Sequence, residues 1–207
     1  MSSAARPYKA GAVDVLAIAL DDCREPALRP LPAEAAELLA ALGAPPRLVA
    51  HLRAVHEVAG QLVDWLAARC PGLELDREAV LFGAATHDIG KVRHPAELSG
   101  PGSEHEAAGQ ELLLAHGVSE RLARFAAGHA DWEAPGTRIE DLLVSLADKA
   151  WKNRRVPGLE DLVVAELCAA AGRPAWEEFL ALDEILTGIG DGAEARLAYQ
   201  AAHPLGG

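Results

Sequence analysis

The pentapeptide His87-Asp88-Ile89-Gly90-Lys91 has the most informative chemistry in this sequence. Neighbouring side chains on a regular helix point in different directions, so an adjacent histidine and aspartate can both face one metal ion only where a helix ends. Gly90 is a residue typical of such an end. Lys91 follows closely enough for its ammonium group to meet a phosphate oxygen. The segment therefore predicts a metal centre, with Asp88 and Lys91 as candidate catalytic residues.

Histidines concentrate in the middle of the chain, and such clustering suggests imidazole-metal chemistry. Seven of the eight histidines lie there: His51, His56, His87, His94, His105, His116 and His129. His51 shares the apolar face of a predicted helix with Leu48 and Val55, where an imidazole needs a partner. Asp148 lies in an equally apolar run, where an ionised carboxylate requires a cation. A metal ion would satisfy both side chains.

The apolar residues after Pro32 recur with helical spacing, so we predict an all-α fold. The predicted helices cover residues 32–42, 46–69, 104–116, 119–129 and 139–154, with two or three more after residue 158. A further helix is predicted from Asp76 through His87, with its end at Gly90. Residues 92–103 are rich in proline and glycine and predict an irregular loop of the kind that often serves function. Near the N-terminus, residues 12–20 fit a short strand or a helix equally well.

The length fits one domain, and no linker divides the chain. We predict an N-terminal extension at residues 1–31, a metal-binding helical core at residues 32–155 and a C-terminal helical extension at residues 156–207 packed on that core. The first nine residues are predicted to be disordered, and the last residues, with His203, to form a frayed tail.

Composition limits the partners that this protein can have. The chain carries 31 acidic against 19 basic residues and a net charge of -12, which disfavours general nucleic-acid binding.

The three cysteines, Cys23, Cys70 and Cys168, are far apart and fit a reducing compartment, so we expect a cytoplasmic protein. Acidic residues interrupt the signal-like stretch at residues 10–20, and no apolar run is long enough for a membrane span. No sequence feature indicates an oligomeric state.

Taken together, these motifs resemble the HD-domain superfamily of metal-dependent phosphohydrolases. The similarity consists of His51 with Val55 four residues later, the His87-Asp88 pair in its HDIGK form, and Ala147-Asp148-Lys149. It covers about residues 40–155. The resemblance implies an HD-domain helical bundle, here with extra C-terminal helices, and metal ligation by His51, His87, Asp88 and Asp148.

A second histidine, His56, competes with His51 for the first ligand position. The helix register favours His51, since Val55 follows it by four residues, whereas Gly60 occupies the corresponding position after His56. We therefore expect His51 to be the ligand and His56 to support it or to pack in the core.

The resemblance also raises the question of a second ion. In a subset of the superfamily, further histidines bind another metal and the aspartate of the pair bridges the two, and His105 and His129 are similarly placed here. Partly exposed helix histidines remain the alternative for these two residues. Mixed histidine and carboxylate ligation favours iron or manganese among the divalent metals, with magnesium, cobalt, nickel or zinc also compatible.

Several basic residues are candidates for binding an anionic substrate. Lys91 follows the metal pair, His94 lies in the loop, and Lys152 and Arg155 follow Asp148. Lys152 and Arg155 fit equally well as the favoured cations of a helix C-terminus. His116 precedes Gly117, where an imidazolium is favoured by the helix dipole, and we assign it that structural role.

The resemblance implies a metal-dependent phosphohydrolase whose small phosphorylated substrate, a nucleotide or another phosphoester, is attacked by a metal-activated water. Two alternatives stay open: a di-iron oxygenase, because some members of the superfamily use a similar site to cleave C-C or C-P bonds, and a catalytically silent regulatory module. The GYP element of the cyclic-di-GMP phosphodiesterases in this superfamily is absent after the HDIGK segment, which disfavours that substrate.

Overall fold

A computed structural model describes residues 15–22 and 24–205, and all its regular elements are helical. The helices in chain order are α1 (Val15–Asp21), α2 (Ala33–Ala41), α3 (Pro46–Arg69), α4 (Arg77–Thr86), α5 (Glu104–Ala115), α6 (Glu120–Gly128), α7 (Ile139–Ala150), α8 (Pro157–Ala171), α9 (Ala175–Asp191) and α10 (Ala193–Ala201). Two short 3₁₀ helices, Ile89–Val92 and Pro95–Leu98, join α4 to α5. The predicted all-α fold is confirmed.

Helix α3 is the central element of the bundle. It begins with Pro46 in its first turn, where the missing N–H costs nothing, and it is buried along most of its length. It packs against α1, α4, α7, α9 and α10. Around its C-terminal half α3 contributes to an apolar core that α4, α7, α8 and α9 complete. Around its N-terminal half it meets α1, α2 and residues of α4, α5 and α6 in a second apolar cluster.

Gly90 allows the segment after α4 to approach α5 closely. A β-carbon at this position would overlap the backbone carbonyl of His105 and crowd the amide nitrogen of Gly109. Neither backbone atom can rotate away, so only glycine fits here. This close approach brings the residues after α4 into contact with the first turn of α5.

The structure corrects several predicted boundaries. Helix α4 ends at Thr86, with His87 as its C-terminal cap, and α7 ends at Ala150 instead of reaching Arg154. The segment predicted to be irregular contains the 3₁₀ helix Pro95–Leu98, because a single helical turn tolerates proline at its start. Residues 15–20 are helical, and residues 12–14 and the first nine residues lie outside the described part of the chain.

The prediction that His203 belongs to a frayed tail is wrong. His203 is 3% exposed, and its Nε2 lies 3.2 Å from Oδ2 of Asp22, which is also buried. Arg47 of α3 donates hydrogen bonds to the His203 carbonyl (2.9 Å) and the Ala201 carbonyl (2.9 Å). Both ends of the described chain are therefore attached to α3, which local sequence patterns do not reveal.

The C-terminal helices α8 to α10 pack on α3 and α7. Arg53 of α3 donates to the Ala19 carbonyl (3.0 Å) and to the hydroxyl of Tyr199 (2.9 Å), so a buried guanidinium joins α1 to α10. In the described residues, no helix combines the length and apolar character that crossing a membrane requires.

Candidate metal centre

Five helices bring six ionisable side chains to one buried point between them. His51 lies in the second turn of α3, His87 caps α4 with Asp88 next to it, and Asp148 lies in the last turn of α7. His105 belongs to the first turn of α5, and His129 caps α6. All six are 8% exposed or less. Because two of the histidines and Asp88 stand at helix ends, their side chains turn inward together.

One set of side chains surrounds Oδ2 of Asp88. The Nε2 atom of His51 lies 3.1 Å from Oδ2 of Asp88 and 3.6 Å from Oδ1 of Asp148. The Nε2 atom of His87 lies 3.7 Å and 3.5 Å from the same two oxygens. The two imidazole nitrogens are themselves 3.3 Å apart. We call His51, His87, Asp88 and Asp148 the core set.

A second set faces the other oxygen of the same carboxylate. Oδ1 of Asp88 lies 3.0 Å from Nε2 of His105 and 3.6 Å from Nε2 of His129. In each set, ligand atoms of two histidines and Asp88 lie within 4.8 Å of one another, which is close enough to hold one ion. We call His105, His129 and Asp88 the outer set. Asp88 is thus the only residue shared by both, with one oxygen directed to each.

Backbone hydrogen bonds fix the orientation of two of these histidines. Nδ1 of His87 lies 3.0 Å from the Ala84 carbonyl, and Nδ1 of His129 lies 3.1 Å from the Ala126 carbonyl. Since a carbonyl can only accept, each Nδ1 donates to it, and Nε2 is the ring atom that faces the carboxylate oxygens. Imidazole nitrogens and carboxylate oxygens directed at one point are a donor set that fits divalent metal ions.

The hydrogen bonds of His105 also indicate a site that fits a metal ion. Its Nδ1 donates to Oε2 of Glu97, and its Nε2, buried near Asp88, has no hydrogen-bond partner among the described residues. Nδ1 of His51 also lacks a partner there. Buried imidazoles with unsatisfied nitrogens are unusual in a packed core, and metal ligation accounts for the Nε2 atom of His105.

Burial and neighbouring charge shift the pKa values in the centre. Burial lowers the pKa of His129 to about 4 and also lowers that of His51, so both rings are neutral at neutral pH and able to bind a metal ion. Burial lowers the pKa of His105 too, but the adjacent carboxylates of Asp88 and Glu97 outweigh that effect and raise it. Burial raises the pKa of Asp88 and Asp148, yet the surrounding imidazoles hold both carboxyls well below their usual range.

Two lysines contact the two carboxylates of the core set. Nζ of Lys91 lies 2.5 Å from Oδ2 of Asp88, and Nζ of Lys149 lies 2.7 Å from Oδ2 of Asp148. Lys149 also lies over the ring of Trp132, 5.8 Å from its centroid. Both side chains remain partly exposed, at 18% and 14%, so they can reach an entering anion.

The structure places the other predicted residues outside the centre. Arg155 is engaged by Glu160 (2.7 Å) and Asp183 (2.9 Å), which join α8 and α9, so its charge serves a structural ion pair instead of the predicted substrate contact. Lys152 is exposed, 5.7 Å from the Trp151 ring centroid, and makes no contact with the two sets. His94 lies 3.5 Å from Glu104.

The remaining histidines keep structural roles. His116 donates from Nδ1 to the Leu112 carbonyl (2.8 Å) at the end of α5. His56 is buried near Arg29 and Glu57, and burial lowers its pKa to about 4, so it is a neutral core residue. The alternative in which His56 replaces His51 at the metal centre has no support in this geometry.

Sequence reasoning missed Glu97 and Lys149. Lys149 is adjacent to Asp148 in the motif itself, so its neighbourhood could have been noticed. No local pattern marks Glu97, which reaches His105 only because the chain folds back between the second 3₁₀ helix and α5. A third group within ligating distance, His94, Glu97 and Glu104, is partly exposed, and its Glu97 is already bonded to His105.

Comparison with known families agrees with this geometry. The family model for the HD domain matches residues 48–150. This chain belongs to the HD-domain superfamily. The matched residues of the HD domain run from the first turn of α3 to the end of α7 and include both the core set and the outer set. The superfamily is one of metal-dependent phosphohydrolases.

Part of this chain is also similar to a curated protein. An uncharacterized protein of Methanocaldococcus jannaschii is 39% identical over 82 residues, which are 40% of this chain and 44% of that protein. The chain therefore matches less than half of the relative's length. No solved structure matches the chain.

Proposed function

We propose that this HD domain is a metal-dependent phosphohydrolase that acts on a nucleotide or another small phosphoester. The observation that carries the proposal is that the two carboxylate oxygens of Asp88 face different histidines. One oxygen faces His51 and His87, and the other faces His105 and His129. A carboxylate shared in this way is the arrangement that a bridging ligand between two ions requires.

The core set would hold one divalent ion and the outer set a second. Such ions lower the pKa of a coordinated water towards neutrality and polarise a phosphoryl oxygen. Histidine and carboxylate ligands together favour iron or manganese, although other divalent metals are compatible with this donor set. Two carboxylates against two divalent ions leave net positive charge at the centre, which favours an anionic substrate.

The two lysines would bind and orient the substrate. Lys91 and Lys149 each lie against one carboxylate of the core set and are partly open to solvent. When both carboxylates are engaged in ligation, the ammonium groups are free to donate to non-bridging phosphate oxygens. Trp132, beside Lys149, offers an apolar face to the rest of the substrate.

The substrate is expected to be small. The site residues are 8% exposed or less, so only a group that can enter between the helices reaches them. A net charge of -12 disfavours a long phosphate backbone as substrate, because the protein surface repels it outside the centre. A compact phosphoester meets only the local positive charge of the lysines and ions.

The test is phosphate release from a panel of nucleotides and other phosphoesters, measured anaerobically after the protein has been stripped and reloaded with iron or manganese. We expect release that depends on metal and is lost in Asp88→Asn. Release that is unchanged by chelation, or absent from the whole panel, would contradict the proposal.

A di-iron oxygenase is the second candidate, because the four histidines that surround Asp88 are equally compatible with it. Ligand identity does not distinguish the two reactions. Oxygen consumption coupled to turnover of an organic substrate, without anaerobic phosphate release, would support this alternative. Stoichiometric metal binding without either activity would instead indicate a regulatory HD domain.

A further inference from the structure

Glu97 makes an unusually complete set of contacts with the start of α5. Its Oε1 accepts a hydrogen bond from the backbone amide of Glu104 (3.2 Å), and its Oε2 accepts one from the amide of His105 (3.3 Å). The same Oε2 accepts from the ring Nδ1 of His105. The Glu97 side chain is only 8% exposed. Three donors therefore converge on one buried carboxylate.

Glu97 caps the N-terminus of α5 in place of Ser103, the residue in the cap position. Ser103 precedes α5, yet its side chain makes no capping hydrogen bond. Helix N-termini favour a carboxylate that satisfies their free amides. The Glu97 carboxylate accepts from the two amides instead.

The backbone around Glu97 leaves room for its carboxylate. A β-carbon at Gly102 would overlap the Glu97 carboxylate group. A larger residue at position 102 would therefore displace the Glu97 side chain from its present place. The loop and the orientation of His105 are consequently linked through a single side chain.

We propose that Glu97 is the positioning residue of the outer set. By accepting from Nδ1, it fixes the proton there, directs the Nε2 lone pair of His105 towards Asp88 and makes that nitrogen a stronger ligand. Since Glu97 belongs to the segment between α4 and α5, the conformation of this loop and occupancy of the outer set depend on each other. The core set has no contact with Glu97 among the described interactions.

This inference rests on the second ion of the proposed function, so its test measures metal binding and not turnover. Glu97→Ala removes the acceptor, Glu97→Gln keeps an oxygen without the charge, and Gly102→Ala displaces the carboxylate without removing it. Glu104→Gln is the matched control, since it removes one negative charge from an 80% exposed side chain at the start of α5.

The affinities of the two ions are measured by titrating metal-free protein with cobalt(II) or manganese(II) against a competing chelator. Loss of a residue that hydrogen-bonds a metal ligand typically weakens metal binding by about 10–100-fold, so we expect a loss of that size for the ion of the outer set in Glu97→Ala. A smaller loss is expected in Glu97→Gln and in Gly102→Ala. The affinity of the ion of the core set should stay as in the wild type, and Glu104→Gln should bind both ions as the wild type does.

Protection of residues 95–103 from proteolysis provides a second readout. We expect addition of the second equivalent of metal to protect this loop in the wild type and to protect it less in Glu97→Ala. Equal weakening of both ions in Glu97→Ala, unchanged affinity of the second ion, or an equal loss in Glu104→Gln would each overturn the proposal.

The outcome is distinguishable from that of the proposed function. If the wild type binds one ion and still releases phosphate, the role of Glu97 is overturned while the hydrolase proposal stands. If the second ion responds to Glu97 as expected but no phosphoester is hydrolysed, the hydrolase proposal fails and the positioning role is supported.

Discussion

The core set and the outer set share Asp88, but they are built from different parts of the molecule. His51, His87 and Asp148 come from α3, α4 and α7, whose apolar residues form the main core around the central helix. His105 and His129 come from α5 and α6, and the orientation of His105 depends on the segment between α4 and α5 through Gly90 and Glu97. One set is positioned by the core, and the other by local contacts at its edge.

The two proposed ions should therefore respond unequally to the same perturbation. Side chains on packed helices cannot move without disturbing many neighbours, because interiors are close-packed. A loop-supported ligand can lose its orientation at lower cost. Both lysines also contact carboxylate oxygens of the core set, so substrate binding and the proposed ion of the core set should be linked.

The largest effect is expected from Asp88→Asn, which removes the charge that both sets share. We expect loss of both ions and a fall in activity of more than about 100-fold, which is the upper limit for a residue that only hydrogen-bonds a metal ligand. Metal excess should no longer raise the melting temperature, whereas each ion stabilises the wild type by about 2.7 kcal/mol at a hundred times its Kd. Retention of one tightly bound ion would show that Asp88 is not the shared ligand.

His105→Ala tests the outer set without changing the core set. It removes a ligand of the outer set only, so metal analysis should show about two equivalents in the wild type and about one in the variant. His116→Ala is the matched control, since this histidine lies on the same helix and binds only a backbone carbonyl. One equivalent in both wild type and His105→Ala would refute the second ion.

Gly90→Ala tests the contact that brings α5 to the metal centre. The added methyl group overlaps the His105 backbone, and overpacking of this kind typically costs about 1–3 kcal/mol. We expect a lower melting temperature together with selective loss of the second ion. Gly158→Ala is a suitable control because nothing lies near its missing β-carbon. Equal melting temperatures for the two variants would contradict the steric argument.

Lys149→Gln probes the substrate side of the core set. Removing one charge-assisted hydrogen bond to phosphate should lower kcat/KM by about tenfold while both ions remain bound. Lys152→Gln makes the same charge change at an exposed position and should leave kcat/KM unchanged. If metal content falls with Lys149→Gln, the lysine supports Asp148 instead of the substrate.

The smallest effect is expected from acidification. A raised pKa means that protons compete with metal for His105 from a higher pH, whereas His51 stays neutral to a lower pH because its pKa is depressed. On stepwise dialysis from about pH 8 to pH 4, the outer ion should therefore leave before the core ion. Simultaneous release of both ions, or release of the core ion first, would contradict the predicted order of release.

Several parts of the fold and site could be predicted because they depend on near neighbours in the chain. Helix α3 begins at Pro46 and ends at Arg69 as the apolar spacing and its flanking residues predicted. The pair His87-Asp88 indicated a helix end, and the structure has one there. Periodicity and terminators act within one or two turns, so sequence alone reports them.

Contacts between distant segments could not be predicted in the same way. Arg155 follows the motif closely, yet Glu160 and Asp183 take its charge once α8 and α9 pack together. His203 looked like tail and is buried against Asp22. Charge and proximity in sequence do not decide these partners, because burial makes each polar group depend on whichever partner packing brings within reach.

Sequence patterns were enough to identify the candidate metal-binding side chains and to place His87 and Asp88 at the end of a helix. The directions of these side chains emerge only when the helices pack: one oxygen of Asp88 then faces the core set and the other the outer set, and Glu97 accepts a hydrogen bond from His105. Local backbone preferences fix where a helix stops, whereas the direction of a buried carboxylate follows from the packing of five helices around it.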